Sequence, residues 1–119
     1  MQGDKMDIEA KLINWININM DYPAYSEVPA KRPKRFFTVE RVGGSRSQFV
    51  DSATIAVQCW ADTRAGACEL AYCFDDRIDL LQYEDFIYKV SRNSLANFSA
   101  PDSERYQVLI DIKTKIERK

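Results

Sequence analysis

Few residues in this sequence could carry out chemistry. There is no histidine, so no imidazole can act as the general base that activates a serine or cysteine nucleophile. Cys59, Cys68 and Cys73 are odd in number and form no Cys-x-x-Cys pair. A zinc site would need cysteine and carboxylate ligands alone, which is unusual. We expect the cysteines to be small buried hydrophobic residues in a reducing compartment, and we expect no metal site.

Carboxylates are the other candidates for catalysis. Asp75, Asp76 and Asp79 lie close together, and Glu84 and Asp85 follow them. Two carboxylates can act as general acid and base, but these fall on, or just after, the charged side of a predicted helix. We expect a solvated helix face. Glycine-rich phosphate-binding motifs are absent from the sequence, so it predicts neither an enzyme nor a bound cofactor.

A basic run precedes two aromatic residues, Phe36 and Phe37. Basic and aromatic side chains on one strand can bind single-stranded nucleic acid. However, 17 Lys and Arg residues are balanced by 18 Asp and Glu, for a net charge of −1. A small nucleic-acid-binding α+β module therefore stays an alternative that the charge balance disfavours. The run consists of Lys31, Arg32, Lys34 and Arg35.

The length of 119 residues suits one domain with its own core. No apolar run approaches the roughly 20 residues that cross a bilayer, so we expect no membrane association. The first residues, MQGDKMDIEAK, are polar and lack the apolar stretch of a secretory signal. We therefore expect the protein in the cytosol after synthesis.

Two amphipathic helices are predicted. In the first, apolar residues recur at helical spacing up to Met20, and Tyr22-Pro23 ends the pattern, which gives a helix over about residues 5–19. Asp62 or Thr63 can cap the second helix. Its apolar side continues to Leu81, which predicts a helix over about 63–82.

The stretch from Pro33 to Trp60 predicts a long β-hairpin. Its strands cover about 35–42 and 50–60, and the second alternates between two sides. Gly43 and Gly44 can supply the positive φ angles of a reversal, so we expect residues 43–48 to form a mobile basic tip. On the second strand, one side carries Ala53, Ile55, Val57 and Cys59, and the other carries Ser52, Thr54, Ala56, Gln58 and Trp60.

Three further segments complete the predicted sheet. Residues 24–28 suit a short edge strand or extended arm, residues 86–90 a short strand, and residues 106–116 a long alternating strand. Residues 91–104 are polar and rich in turn formers. The order predicts a single α+β domain over residues 1–119. It would have a four- to five-stranded, mostly antiparallel sheet with a long hairpin and both helices packed on one face.

The sheet face away from the helices should be polar, but Ala56, Trp60 and Leu109 fall on it. Two interpretations stay open. Either strand twist folds Trp60 over the end of its own sheet, or this face or its edge is buried against another subunit, since contiguous exposed apolar surface marks contact sites.

Several stretches of this chain resemble one family. They are Tyr25-Ser26-Glu27-Val28-Pro29-Ala30, Arg32-Pro33, the run from Arg35 to Gly44, the run from Ala56 to Ala61, and Asn97-Phe98, Pro101-Asp102 and Arg105-Tyr106-Gln107. They are similar to small tail-completion proteins of long-tailed (siphovirus-type) phages of Gram-positive bacteria, which belong with the tail terminators. The resemblance covers about residues 25–117. The acidic residues around Asp75 and Glu84 depart from the family pattern, which has a longer aliphatic or basic stretch there.

The resemblance implies structural work without catalysis. Tail terminators are virion proteins that assemble as a ring, commonly a hexamer, on the head-proximal end of the tail tube. The ring ends tube polymerisation and presents the surface to which the head's connector docks, and DNA passes through its lumen without specific binding. The implied partners are copies of the chain, the tail-tube protein and the head-completion protein. The resemblance also allows a monomer when the protein is isolated, with the tube as the template for ring formation, and it implies assembly in the host cytoplasm.

The hairpin is the expected assembly element, because edge strands and extended arms build head-to-tail contacts. Another head–tail connector component, such as a head-completion or stopper protein, is the alternative that the resemblance leaves open. The candidate interface residues are Tyr25, Arg41, Gly43, Gly44, Ser45, Arg46, Gln48 and Trp60.

Overall fold

The computed structural model describes residues 8–101 and 103–115. The elements are α1 (Ile8–Asn19), β1 (Ala24–Tyr25), β2 (Arg35–Arg46), β3 (Val50–Ala61), α2 (Arg64–Arg77), a 3₁₀ segment (Ile78–Tyr83), β4 (Lys89–Asn97) and β5 (Glu104–Lys115). The five-stranded sheet has the order β1-β2-β3-β5-β4, with every neighbouring pair antiparallel except β1 and β2. The α+β prediction, with both helices on one face, is confirmed.

The hydrophobic core lies between the helices and one face of the sheet. The alternation predicted for the second hairpin strand is observed, since its apolar set faces the helices. β5 supplies Val108, Ile110 and Ile112, which lie directly opposite Val57, Ile55 and Ala53 of β3. α2 covers these two strands with Leu70, Ala71 and Phe74, and α1 packs Ile8, Leu12, Trp15 and Ile16 on the side of β1 and β2.

The first helix is seen from Ile8 onward, and residues 5–7 of its predicted range lie outside the described part of the chain. After α1, the Asn17 side chain binds both backbone groups of Ala24: Oδ1 accepts from the amide at 3.0 Å, and Nδ2 donates to the carbonyl at 3.4 Å. These bonds hold β1 beside β2. β1 is an edge strand, as predicted, but ends at Tyr25 rather than Val28.

The second helix starts where the sequence predicts. Thr63 is the N-cap residue, and its Oγ1 accepts a hydrogen bond from Gly66 N at 3.0 Å. The α-helix ends at Arg77, and the predicted residues beyond it form the 3₁₀ segment. Because side chains three apart share one side of a 3₁₀ helix, Ile78 and Leu81 both reach the core.

The prediction of a strand over 86–90 followed by turns was wrong. The strand is β4, and it includes residues 91–97 of the segment expected to be turn-rich. β4 is an edge strand with largely exposed side chains, and a bulge between Arg92 and Ser94 shifts its register against β5. The strand forms through backbone hydrogen bonds to β5. Its side chains are largely exposed, so the sequence lacks the apolar–polar alternation that predicts a strand.

The predicted hairpin tip was also wrong in its bounds. β2 does not stop at Val42 but bulges there, since Arg41 pairs with Ile55 and Gly43 with Thr54. It then continues to Arg46. The reversal is confined to residues 47–49, where Ser47 N donates to Val50 O at 2.8 Å.

We expect Ile110→Asp to abolish cooperative thermal unfolding. Ile110 is fully buried at 0% exposure in the core, and an unpaired carboxylate there would cost several kcal/mol, a large part of the roughly 5–15 kcal/mol that stabilises a domain. The matched control is Ile18→Asp, because Ile18 is 72% exposed. A cooperative transition of Ile110→Asp near the wild-type temperature would contradict this core assignment.

Candidate interaction surfaces

An aromatic cluster lies on the sheet face away from the helices. Phe36 and Trp60 are directly opposite in the β2–β3 register, and their rings stack with centroids 5.6 Å apart and planes 4° from parallel. The Tyr25 ring meets Phe36 edge-on at 6.0 Å. We call Tyr25, Phe36 and Trp60, with the two arginines that cover them, Arg32 and Arg105, the outer-face cluster.

The Trp60 ring is enclosed by its own chain. The guanidinium carbons of Arg32 and Arg105 lie 5.4 Å and 4.8 Å from the ring centroid. The indole Nε1 donates to Thr38 Oγ1 at 3.0 Å, and only 6% of the residue is exposed. Trp60 thus folds over its own sheet, the first of the two interpretations, while Tyr25 is half-buried beside it.

We expect Trp60→Ala to lower the free energy of unfolding of the isolated protein by about 3–5 kcal/mol, since it removes a buried ring and leaves a cavity. Urea unfolding measures this. Phe49→Ala is the matched control, because Phe49 is 63% exposed and its loss should change stability little. Equal stability of the two variants would show that Trp60 does not pack as described.

An open cleft of about 490 Å³ adjoins the outer-face cluster. Its lining includes the basic segment Arg32, Pro33 and Lys34 and the side chain of Trp60. Asp62 and Glu104 contribute carboxylates. In the described ranges, Arg32 and Lys34 lie within ion-pair distance of no carboxylate. The cleft therefore combines apolar surface with cations that have no described acidic partner.

The hairpin is braced by a partly buried ion pair. Arg41 Nη1 and Nη2 donate to the Asp51 carboxylate at 3.1 and 2.9 Å, and Arg41 also donates to the carbonyl oxygens of Gly43 and Ser52, each at 3.3 Å. The hydrogen bond to Asp51 raises the pKa of Arg41 above its ordinary value. Arg41, predicted as an interface residue, thus closes the bulge within the chain.

Gly44 is the one described residue with a left-handed φ, at 131°. A β-carbon there would lie 2.0 Å from Ser52 O, so the two strands approach too closely for any other residue. The sequence predicted this requirement for the glycine pair, and the structure assigns it to Gly44 alone. At Gly43 the nearest atom to an added β-carbon is Thr54 Cβ at 4.0 Å.

We expect Gly44→Ala to destabilise the protein by about 2 kcal/mol or more, from the backbone strain and the clash. Gly43→Ala is its control and should be neutral or stabilising by up to about 1 kcal/mol. Chemical unfolding of the pair measures the difference. Similar stabilities would contradict the assignment of strain to Gly44.

The end of the hairpin is exposed. The interface candidates Ser45, Arg46 and Gln48 lie there on the surface. Phe49, 63% exposed, and the bulged Val42 are exposed apolar residues beside them. Sequence reasoning missed Phe49 as a candidate, although an aromatic residue inside a predicted polar tip was a signal for it.

The outer edge of β2 is open over most of its length. β1 pairs only with Phe37 and Thr38, so among the described strands none covers the edge from Val39 to Arg46. The Glu9 carboxylate accepts a hydrogen bond from Arg41 N at 2.6 Å and satisfies one backbone donor. Such an edge can pair with another strand.

The basic run is divided between two environments. Lys31, Arg32 and Lys34 are exposed, whereas Arg35 donates to Glu69 at 2.8 Å and lies over the Tyr22 ring. The aromatic residues that follow, Phe36 and Phe37, are both buried. Their rings are therefore not accessible for stacking with nucleic-acid bases, the contact on which the nucleic-acid alternative depended.

The acidic residues are not simply a solvated face. Arg92 of β4 donates to Asp75 Oδ1 and Asp79 Oδ1, both at 2.9 Å, and also to the Asp75 carbonyl. These bonds tie β4 to the second helix. Asp76 and Asp85 are exposed, as expected.

The cysteines only partly follow the prediction. Cys59 is buried, and burial raises the pKa of its thiol, so it stays protonated and inert. Cys68 is half-buried and Cys73 is exposed, so the prediction that all three are buried was wrong. Cys73 lies on the side of α2 that faces solvent, away from the buried residues of this helix. Within residues 8–101 and 103–115, no group of His, Cys, Asp and Glu could hold a metal ion.

In the described part of the chain, no helix is long and apolar enough to cross a membrane. Comparison with known proteins found no matching family model and no match among curated proteins. The geometry of the surfaces described above is therefore the basis for a functional proposal, together with the resemblance noted in the sequence.

Proposed function

We propose that this protein is a tail terminator of a long-tailed phage. In this proposal, copies of the chain form a ring, commonly a hexamer, on the head-proximal end of the tail tube. The ring stops tube polymerisation and offers the surface that the head-completion protein binds. Its role is structural, and it works in the virion after assembly in the host cytoplasm.

One observation carries the proposal. The stretches that resemble the family are far apart in sequence, yet five of the seven contribute a residue to the outer-face cluster, in which Tyr25, Arg32, Phe36, Trp60 and Arg105 pack together. Much of the sequence that carries the resemblance thus meets in one packed surface, and this surface supports the proposal.

The shape of the subunit also supports a ring. The molecule is elongated, with extents of 48 × 28 × 23 Å, and the hairpin end presents Val42, Arg46 and Phe49 to solvent. Exposed apolar side chains beside an open strand edge suit a contact with another protein. The hairpin end is the surface that we assign to the tail tube.

The charge balance suits a channel for DNA. The net charge is −1, and a lumen with many unpaired cations would instead hold phosphates and slow the passage of the duplex. This is compatible with DNA passing through the ring without specific binding.

Electron microscopy of tail tubes polymerised with and without this protein tests the proposal. We expect shorter tubes that carry a ring at one end, and we expect Arg46→Glu, which reverses charge at the hairpin end, to lose most of this capping without a change in circular dichroism. Arg46 is the residue to change because Arg41 forms an ion pair with Asp51 in its own chain, so its substitution would also affect folding.

Arg64→Glu is the control, since Arg64 is exposed at the start of α2, away from the hairpin end, and an acidic residue suits the first turn of a helix. Tubes of unaltered length and bare ends with the wild-type protein would refute the proposal. Binding to the portal-side complex but not to the tube would instead favour a stopper or head-completion protein.

A further inference from the structure

We propose that two copies of this chain bind head-to-tail. The cleft beside the outer-face cluster of one copy would receive a ridge on the helical side of the next. We define the ridge as Tyr72, Asp76, Leu80 and Tyr83. This inference deepens the proposed function by naming the contact within the ring and rests on that function for ring closure, while the pairing of the two surfaces is argued from their own chemistry.

The ridge is exposed apolar and acidic surface. Its residues follow one another at intervals of three or four along α2 and the 3₁₀ segment, so they lie along one side. Tyr72 and Leu80 are about half exposed, and Tyr83, at 82%, is the most exposed large hydrophobic residue described. Tyrosines of this kind are enriched in interfaces, because the ring is apolar and the hydroxyl can bond.

The cleft offers what this ridge lacks. Lys34 and Arg32 are cations with no acidic partner among the described residues, and Asp76 on the ridge is an exposed carboxylate that forms no described ion pair. The cleft carboxylates, Asp62 and Glu104, can accept hydrogen bonds from tyrosine hydroxyls. A concave surface of mixed charge thus meets a convex surface of tyrosine, leucine and aspartate.

Two arginines lie near the ridge, and both already have partners. Near the ridge, Arg77 donates to the Asn19 carbonyl, and Arg92 is bound to Asp75 and Asp79. Both arginines are engaged within their own subunit. The exposed Asp85 follows Tyr83 by two residues and is a further carboxylate close to the ridge in the sequence.

The two surfaces cannot meet within one molecule. α2 packs on the inner face of β3 and β5, whereas Trp60 and Phe36 of the cleft lie on the outer face. The cleft is at the end of β3 where α2 begins, and the ridge runs away from that end. A contact between unlike patches on opposite sides is heterologous, and such contacts generate rings or open chains.

The contact involves few side chains on each copy, so it falls at the small end of protein interfaces and should be weak between free subunits. Each ring subunit would make it twice, once through its cleft and once through its ridge. Weak pairing in solution and closure on a tail tube are therefore compatible.

Sedimentation velocity with two complementary double variants tests the pairing. The cleft variant is Arg32→Glu with Lys34→Glu, and the ridge variant is Asp76→Ser with Tyr83→Ser, so the two altered surfaces have no opposite charges with which to attract each other. All four positions are exposed, and because Arg32 also lies over the Trp60 ring, Lys34→Glu alone is a second cleft variant that leaves this packing intact. We expect concentrated wild-type protein to associate and each variant alone to associate at least about tenfold more weakly.

An equimolar mixture of the variants is the decisive sample. The cleft variant keeps a working ridge and the ridge variant keeps a working cleft, so they should form a dimer and nothing larger. The charge-matched control, Lys89→Glu with Lys113→Glu, changes two exposed lysines that face each other across β4 and β5 and should associate as the wild type does.

The pairing is overturned if the wild type and the mixture both stay monomeric at the highest attainable concentration, or if either variant alone associates like the wild type. The same variants in the tube assay separate this inference from the proposed function. Tubes capped equally by all variants would refute the cleft–ridge contact but keep the terminator. Head-to-tail dimers without any capping would do the reverse.

Discussion

The two-residue period of β3 is the constraint on which the rest of this structure depends. β3 is the central strand, paired with β2 on one side and β5 on the other along nearly its whole length. Its alternating side chains divide the domain into two faces. One face buries Ile55 and Val57 beneath the helices, and the other carries Trp60 into the outer-face cluster. A register slip of one residue would exchange the two faces.

The outer face shows how a sheet can bury aromatic rings without a second layer. The stacked pair Phe36 and Trp60 would be exposed on an ordinary solvent face. Here the guanidinium groups of Arg32 and Arg105 lie over the indole, and Thr38 accepts its N–H. Long side chains that place their stems on apolar surface and their charges in water replace a missing layer. The same arginine, Arg32, is left at the rim of an open cleft, where a partner can reach it.

Much of this fold could be predicted from the sequence, because local patterns agreed with the tertiary environment. The alternation of β3 and β5, the Thr63 cap and the apolar period of the helices are local signals with one structural meaning. β4 could not be found that way, since it is an exposed edge strand with a bulge, defined by its pairing with β5. The hairpin bounds failed for a related reason. A bulge at Val42 lets β2 continue past the glycines that suggested a turn.

The candidate interaction residues show the same division between what local sequence patterns predict and what tertiary packing decides. The sequence by itself determined the two faces of the sheet, the need for a glycine of left-handed φ in the hairpin, and the absence of histidine chemistry, since each follows from residue type and spacing. Only the tertiary structure decided that Arg41 forms an ion pair with Asp51 and that Arg92 forms ion pairs with Asp75 and Asp79. It also decided that two arginines cover the Trp60 ring. These contacts join residues distant in the chain, and a side chain with several charged neighbours in sequence finds its partner through the packing of whole elements.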